Sequence, residues 1–211
     1  IAEVALYQVV EVPLARDGEP VIERNAPVVV GKPALVRIFV EPLEGYAARE
    51  ISAVLTLYGS TGEPEELSVT QLVGSASVRG DLLSTINIEV PGERVTSDLQ
   101  YSVTLREFMP QPDAPDTIDV DVRFPRDETL VAVLGARDPG PLKIMLVPYR
   151  YNRDGSGRVP QLDPDKIEHY RQYLLSHYPT SQVEFELHEV VDYNQAVLPE
   201  SGWSAWLDSH C

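Results

Sequence analysis

Cysteine is almost absent from this chain: Cys211, the last residue, is the only one. No intrachain disulfide is possible, so packing and hydrogen bonds alone must hold the fold. Basic residues are also scarce, with 17 Lys and Arg against 33 Asp and Glu. The formal net charge is −16, and the isoelectric point lies near 4.5. Such a field repels phosphate backbones and anionic bilayers, which excludes nucleic acid as an expected partner. No apolar run approaches the ~20 residues of a spanning helix, so no membrane insertion is expected. A signal peptide is missing as well, and the chain opens on Ile1 without Met. That start leads us to expect that upstream sequence has been removed.

What is present is strand upon strand. The 211 residues suffice for one large or two small domains. From Ile1 to about Leu134 the pattern has period two and almost no helical spacing. Val4 to Val12 reads as a strand halted by Pro13, and Arg16-Asp17-Gly18-Glu19-Pro20 as a turn that lets Val21 to Glu23 pair back. Ala34, Val36, Ile38 and Val40 share one face, with Arg37 and Glu41 on the wet one. Ile51, Ala53, Leu55 and Leu57 alternate likewise, as do Leu67, Val69 and Val73, then Ile86, Ile88 and Val90. Ile118, Val120, Val122 and Phe124 alternate with Thr117, Asp119, Asp121 and Arg123. One buried and one wet face per strand is the mark of antiparallel sheets, and about eight short strands predict a sandwich. Val95 to Val103 has the form of a tyrosine corner, with Tyr101 opening the penultimate strand of an immunoglobulin or fibronectin-like domain. Met109 to Asp116 is a proline-rich loop.

The period changes after Ala136. We expect a sandwich domain over 1–136, a stiff linker over 137–141 and a β-α-β unit over 142–211. Leu142 to Val147 is an apolar run of strand length, closed by Pro148. A polar loop, Asn152 to Arg158, follows. Asp163 then reads as an N-cap with Pro164 at the first helical position. Ile167, Tyr170, Leu174 and Tyr178 recur at helical spacing until Pro179, and Val183 to Val191 returns as a strand. Trp203, Trp206 and Leu207 have the spacing of another amphipathic helix. The fold class is mainly β: an antiparallel sandwich followed by a small α/β unit.

No complete catalytic set is legible. Asn152, Asp154, Ser156, Arg158 and Asp163 copy the spacing of an EF-hand-like calcium loop, Arg158 through its carbonyl. Asn at the first place, Asp at the last and Pro160 at the exit depart from that pattern. The competing reading, which the residues favour, is a turn with glycines at positive φ and Asp163 as a helix cap. His188-Glu189-Val190-Val191-Asp192 imitates a zinc-protease HExxH. On a strand, however, its ends stand about 13 Å apart, and Glu189 turns to the other face. Ser156 lies outside a G-x-S-x-G elbow, with no His or Asp placed to activate it. His169 and His177 read as surface residues, and His210-Cys211 is too little for a metal site. Asp113, Asp116, Asp119 and Asp121 read as a solvated acidic run.

Several stretches together resemble the opening of the catalytic domain in secreted bacterial zinc metallopeptidases of the zincin class. They are Leu142 to Tyr149, Asp154-Gly155-Ser156-Gly157-Arg158, the helix through Tyr170-Arg171, Tyr178-Pro179, and Val183 to Glu186. In that family an Ig-like sandwich, with a phrase like Pro33 to Val40, precedes the catalytic domain. The resemblance implies an exported or cell-envelope protein whose front portion, seen here, positions or docks a catalytic part. It implies zinc only in a missing part beyond Cys211, since neither HExxH nor a third ligand is present, and no catalytic residue carries over. The alternative is a self-sufficient extracellular binding module for protein or carbohydrate, using loops such as Pro110 to Asp116.

Overall fold

A computed structural model describes residues 1–59, 63–108 and 122–196. They fall into two compact units, one of Ile1–Gly140 with Ser176–Ser181 and one drawn from Pro141–Leu175 and Gln182–Cys211.

The first unit is an antiparallel sandwich. Its strands are β1 (Glu3–Tyr7), β2 (Glu11–Arg16), β3 (Glu19–Pro20), β4 (Ala34–Phe39), β5 (Arg49–Tyr58), β6 (Glu65–Val73), β7 (Ile86–Val90), β8 (Gln100–Glu107), β9 (Arg123–Phe124) and β10 (Ala132–Val133). One sheet runs β3-β2-β1-β4-β7 and the other β10-β8-β5-β6, with β9 also on β8. The inward residues are those the alternation names: Val36, Ile38, Ala53, Leu55, Leu57, Ile86, Ile88 and Val103 join Val4, Leu6 and Phe124 in one core. This is the expected antiparallel β-sandwich, with a hairpin extending its first sheet.

Four local expectations need correction. Pro13 does not end a strand; it lies within β2, opposite Ala5, where the register shifts by one residue. A proline is tolerated beside such a bulge because the ladder is already interrupted there. The chain instead breaks at Gln8 to Val10 and returns as β2, and the pairing-back strand is Glu19–Pro20. Asp17 and Gly18, at φ 50° and 79°, form the two-residue turn whose twist suits that hairpin. Arg37 is not wet: it is 6% exposed. Of the final predicted strand, Ile118 and Val120 lie outside the described residues. Phe124 is buried, but Val122 is 43% exposed.

The second unit holds β11 (Leu142–Leu146), β12 (Tyr149–Tyr151), α1 (Pro164–His177), β13 (Val183–Leu187) and β14 (Val191–Tyr193). β11 pairs with β13 and β12 with β14, both in parallel. The partner offset is 183 − 142 = 41 in the first ladder and 191 − 149 = 42 in the second. One ribbon therefore runs through both, with one extra residue on the second strand opposite Pro148. Proline has no N–H to give there, so the facing strand bulges, and the strand expected over 183–191 is split. Asp163 caps α1 as expected, its Oδ1 accepting from Lys166 N at 2.9 Å. The stripe facing the ribbon is Ile167, Arg171, Leu174 and Leu175, while Tyr170 and Tyr178 are 40% and 48% exposed. Arg171 reaches the ribbon directly, donating to the Val183 carbonyl with its guanidinium 5.3 Å from the Phe185 ring. Trp203, Trp206 and Leu207 lie outside the described residues.

Candidate functional site

The loop from Asn152 to Asp163 leaves the carboxyl end of a parallel ribbon, where α/β folds place their ligand-binding groups. Its base is aromatic. Tyr193 is 9% exposed and meets Tyr149 edge-on at 6.2 Å and Tyr151 stacked at 6.3 Å. The Arg158 guanidinium lies 5.7 Å from the Tyr151 ring centre.

Above that base the polar groups are turned on one another. Asn152 N–H donates to the Tyr193 carbonyl at 3.0 Å, and its side-chain amide to Asp192 Oδ1 at 3.2 Å. Arg150 reaches the same oxygen at 3.1 Å. Asp154 accepts from Ser156 N at 2.9 Å through Oδ1 and from the Arg158 guanidinium through Oδ2. Hydrogen bonds from Ser156, then the Arg158 charge, hold the Asp154 carboxyl below the usual carboxylate range. Ser156 Oγ accepts from Arg158 Nε at 2.9 Å. The Arg158 carbonyl accepts from Tyr151 N at 2.8 Å. Gly155 and Gly157 sit at φ 74° and 60°, and Asp163 holds the helix start.

Of the five residues read as a calcium loop, the fold thus brings Asp154, Ser156 and Arg158 together, joins Asn152 to Asp192, and sends Asp163 to its helix. Among the described residues no three His, Cys, Asp or Glu side chains converge as a metal cluster. Among the described residues the partners of Ser156 are Asp154, itself engaged by Arg158, and Arg158, and no histidine is among them. His188 lies past the end of β13, its N–H on the Leu146 carbonyl and its Nδ1 2.9 Å from the Glu189 carbonyl. Asp192 belongs to β14 and holds Arg150 and Asn152, so the HExxD imitation lies on no helix. His169 and His177 are exposed on α1. His210, Cys211, Asp113, Asp116, Asp119, Asp121 and the Pro110 to Asp116 loop lie outside the described residues.

Tyr101 opens β8 and is 2% exposed, its ring 6.0 Å from Phe124. Its hydroxyl makes no hydrogen bond among the described residues, so the corner's upstream backbone bond is replaced by ring packing. Burial pushes the phenol pKa up, against a smaller downward pull from Arg24.

Sequence reasoning missed a polar layer on the outer face of the first sheet. Arg37 lies 5.1 Å from both the Tyr7 and Phe39 ring centres. It donates to Thr85 Oγ1 at 3.1 Å, to the Arg79 carbonyl at 3.3 Å and to the Asp81 carbonyl at 3.2 Å. Arg79 in turn pairs with Glu3 and Glu11. Burial raises the Glu11 pKa, but hydrogen bonds from Tyr7 and Arg79 outweigh it and leave the carboxyl below its ordinary value. The one available signal was Tyr7 and Phe39, aromatic at positions that alternation assigns to the wet face.

No helix among the described residues is long and apolar enough to cross a membrane. No protein-family model, curated protein or solved structure matches the chain.

Proposed function

We propose that this chain is a non-catalytic front portion of an exported metallopeptidase-like protein, positioning or docking a catalytic domain that follows it. The observation that supports the reading is the open ribbon. Parallel strands are ordinarily covered on both faces and flanked on both sides. Here, among the described residues, β11 and β13 pair only with each other, and α1 buries no residue completely. Two strands and a helix bury too little to stand alone, so further strands on a free edge would complete the unit.

The test is hydrogen exchange on Leu142–Leu146 and Val183–Leu187, in this chain and in one extended along its natural reading frame. We expect slower exchange at both strands in the extended protein and an HExxH in the added sequence. Unchanged exchange, or a frame that ends without that motif, overturns the reading. Zinc-supplemented protease assays of the present chain should stay blank, and chelator-sensitive turnover would contradict it.

A second reading is a binding module for protein or carbohydrate. An open hollow of about 1090 Å³ in the sandwich unit favours it.

A further inference from the structure

The two edges of the β11–β13 ribbon carry different charges. The bonds that flank its ladder run from Leu142 N to the Gln182 carbonyl and from His188 N to the Leu146 carbonyl, both at 2.9 Å. In a parallel ladder alternate residues bond to the neighbour, so the even-numbered residues of β13 face β11. Val183, Phe185 and Leu187 therefore turn their N–H and C=O groups away from it. The Arg171 guanidinium takes the Val183 carbonyl, which agrees with that direction. Phe185 and Leu187 remain, because among the described residues β13 pairs with β11 alone. Such an edge is a template for a strand from outside.

The side chains say which strand fits. Val183, Phe185 and Leu187 share the helix side, where the Arg171 guanidinium is 5.3 Å from the Phe185 ring. Cover fades along that row, from Val183 at 4% exposed to Leu187 at 60%. Glu184 and Glu186 stand exposed on the opposite face. Their neighbours on β11 are Lys143 and Met145. Lys143 Nζ lies 3.8 Å from the Glu184 carboxylate, and Glu186 has no ion pair among the described residues. An incoming strand must bring apolar residues to the Leu187 side and positive charge to the glutamate side. A second copy of β13 does not qualify: antiparallel pairing about Phe185 sets Glu184 against Glu186 twice. No described strand of this chain carries more than one basic residue, so none has the required pattern.

We infer that the outer edge of β13 binds a strand-forming segment of a separate polypeptide in which apolar and basic residues alternate. Its backbone pairs with Phe185 and Leu187, its apolar side chains cover Leu187, and its lysines or arginines stand beside Glu184 and Glu186. The inference rests on the reading of the ribbon as open and gives one of its edges a partner class. It leaves the β11 edge, which presents Lys143, for strands of the protein itself.

The experiment titrates the full chain with four synthetic nonapeptides and follows backbone amides by NMR. In three of them valine alternates with lysine, threonine or glutamate. The fourth is the lysine peptide with proline in place of its central valine. The lysine peptide should shift the Phe185 and Leu187 amides, the threonine peptide should bind about tenfold more weakly, and the glutamate peptide should not bind. The proline peptide keeps every charge but loses an edge N–H, and should bind at least about tenfold more weakly than its parent. Glu184→Lys combined with Glu186→Lys should reverse the order of the lysine and glutamate peptides, although the chain stays strongly acidic. The milder pair, Glu184→Gln with Glu186→Gln, should level the lysine and threonine peptides. A lysine preference that survives both double variants, or a proline peptide as good as its parent, marks adsorption to an acidic surface and overturns the inference. Equal binding of all charges at Phe185 and Leu187 overturns it too, but spares the open ribbon. No shift at those amides with any peptide also overturns it, and exchange in the extended chain then decides the open-ribbon reading separately.

Discussion

Two strands with the same alternating pattern meet different surroundings in this chain. In β5, Ala53, Leu55 and Leu57 are 0%, 1% and 5% exposed. In β13, Val183 is 4% exposed, Phe185 is half-buried, and Leu187 is 60% exposed. Local sequence cannot tell them apart, since each alternates apolar with polar residues. The difference is in what lies opposite: β5 faces a second sheet and has a strand on each side, whereas among the described residues β13 pairs with one strand and is met by one helix. Alternation therefore encodes which face will be buried, and tertiary neighbours decide how completely. The largest test of this contrast is a pair of truncations. Leu55→Ala should cost about 2–5 kcal/mol, as buried leucines do. Leu187→Ala should cost within about 0.5 kcal/mol, as exposed positions do. Urea denaturation of both measures the gap, and equal losses would mean that the second unit is packed as tightly as the first.

That rule also explains which parts of the fold could be read in advance. Inward residues such as Ile38, Leu55 and Ile88 were legible because a sandwich buries one face of every strand. Arg37 was not, because the groups that cover it, the Arg79 and Asp81 carbonyls, come 42 and 44 residues later. A second layer over a sheet leaves no mark in the strand's own period. The break opposite Pro148 was hidden similarly, since Pro148 was visible but the bulge that accommodates it lies on the partner strand. At the loop, spacing alone left a calcium site and a turn both open. Loop spacing gives Arg158 only a carbonyl role, yet its guanidinium, four residues from Asp154, is what engages that carboxylate. The hollow in the sandwich unit had no sequence signal, because its two walls lie about a hundred residues apart and neither carries a motif.

The sandwich gains a further advantage over the α/β unit from its outer polar layer. Arg37→Ala should destabilise by about 2–3 kcal/mol, the scale of lost hydrogen bonds to a charged group. It leaves the Arg79 and Asp81 carbonyls and Thr85 Oγ1 without that donor and removes the guanidinium's contacts with the Tyr7 and Phe39 rings. Arg150→Ala, an exposed contact to Asp192 in the second unit, should change stability by less than about 1 kcal/mol. Denaturation midpoints for both variants decide it, and a cost for Arg150→Ala equal to that for Arg37→Ala would remove the contrast.

Within the second unit the helix cap should matter more than surface pairs do. Asp163→Ala removes the acceptor of Lys166 N–H at the start of α1 and should cost about 1 kcal/mol. Because α1 has no fully buried residue to anchor it, the loss should show first as faster amide exchange in the opening turn. Asp163→Asn, which keeps a capping oxygen, should restore slow exchange, and failure to do so would assign the effect to charge instead.

The smallest expected effect is that of calcium on the Asn152 to Asp163 loop. Asp154 already accepts from Ser156 N–H and the Arg158 guanidinium, Asp163 is held by the helix N-terminus, and the Arg158 carbonyl is taken by Tyr151. An ion entering here would have to displace these partners, so the melting midpoint should be the same in millimolar calcium and in chelator. Arg158→Ala sharpens the test by freeing the Asp154 carboxylate. If the guanidinium is what excludes the ion, this variant alone should gain a calcium-dependent rise, and Asp154→Ala should lose it again. Two carboxylates give at most the weak affinity of extracellular sites, roughly 10⁻⁴ to 10⁻³ M. At roughly 10 mM calcium such a site would add about 2.7 kcal/mol at the tight end of that range and about 1.4 kcal/mol at the weak end, large enough to read. A rise already present in the unmodified chain would show that the ion outcompetes Arg158, and the loop would then be a cation site and not a self-satisfied turn.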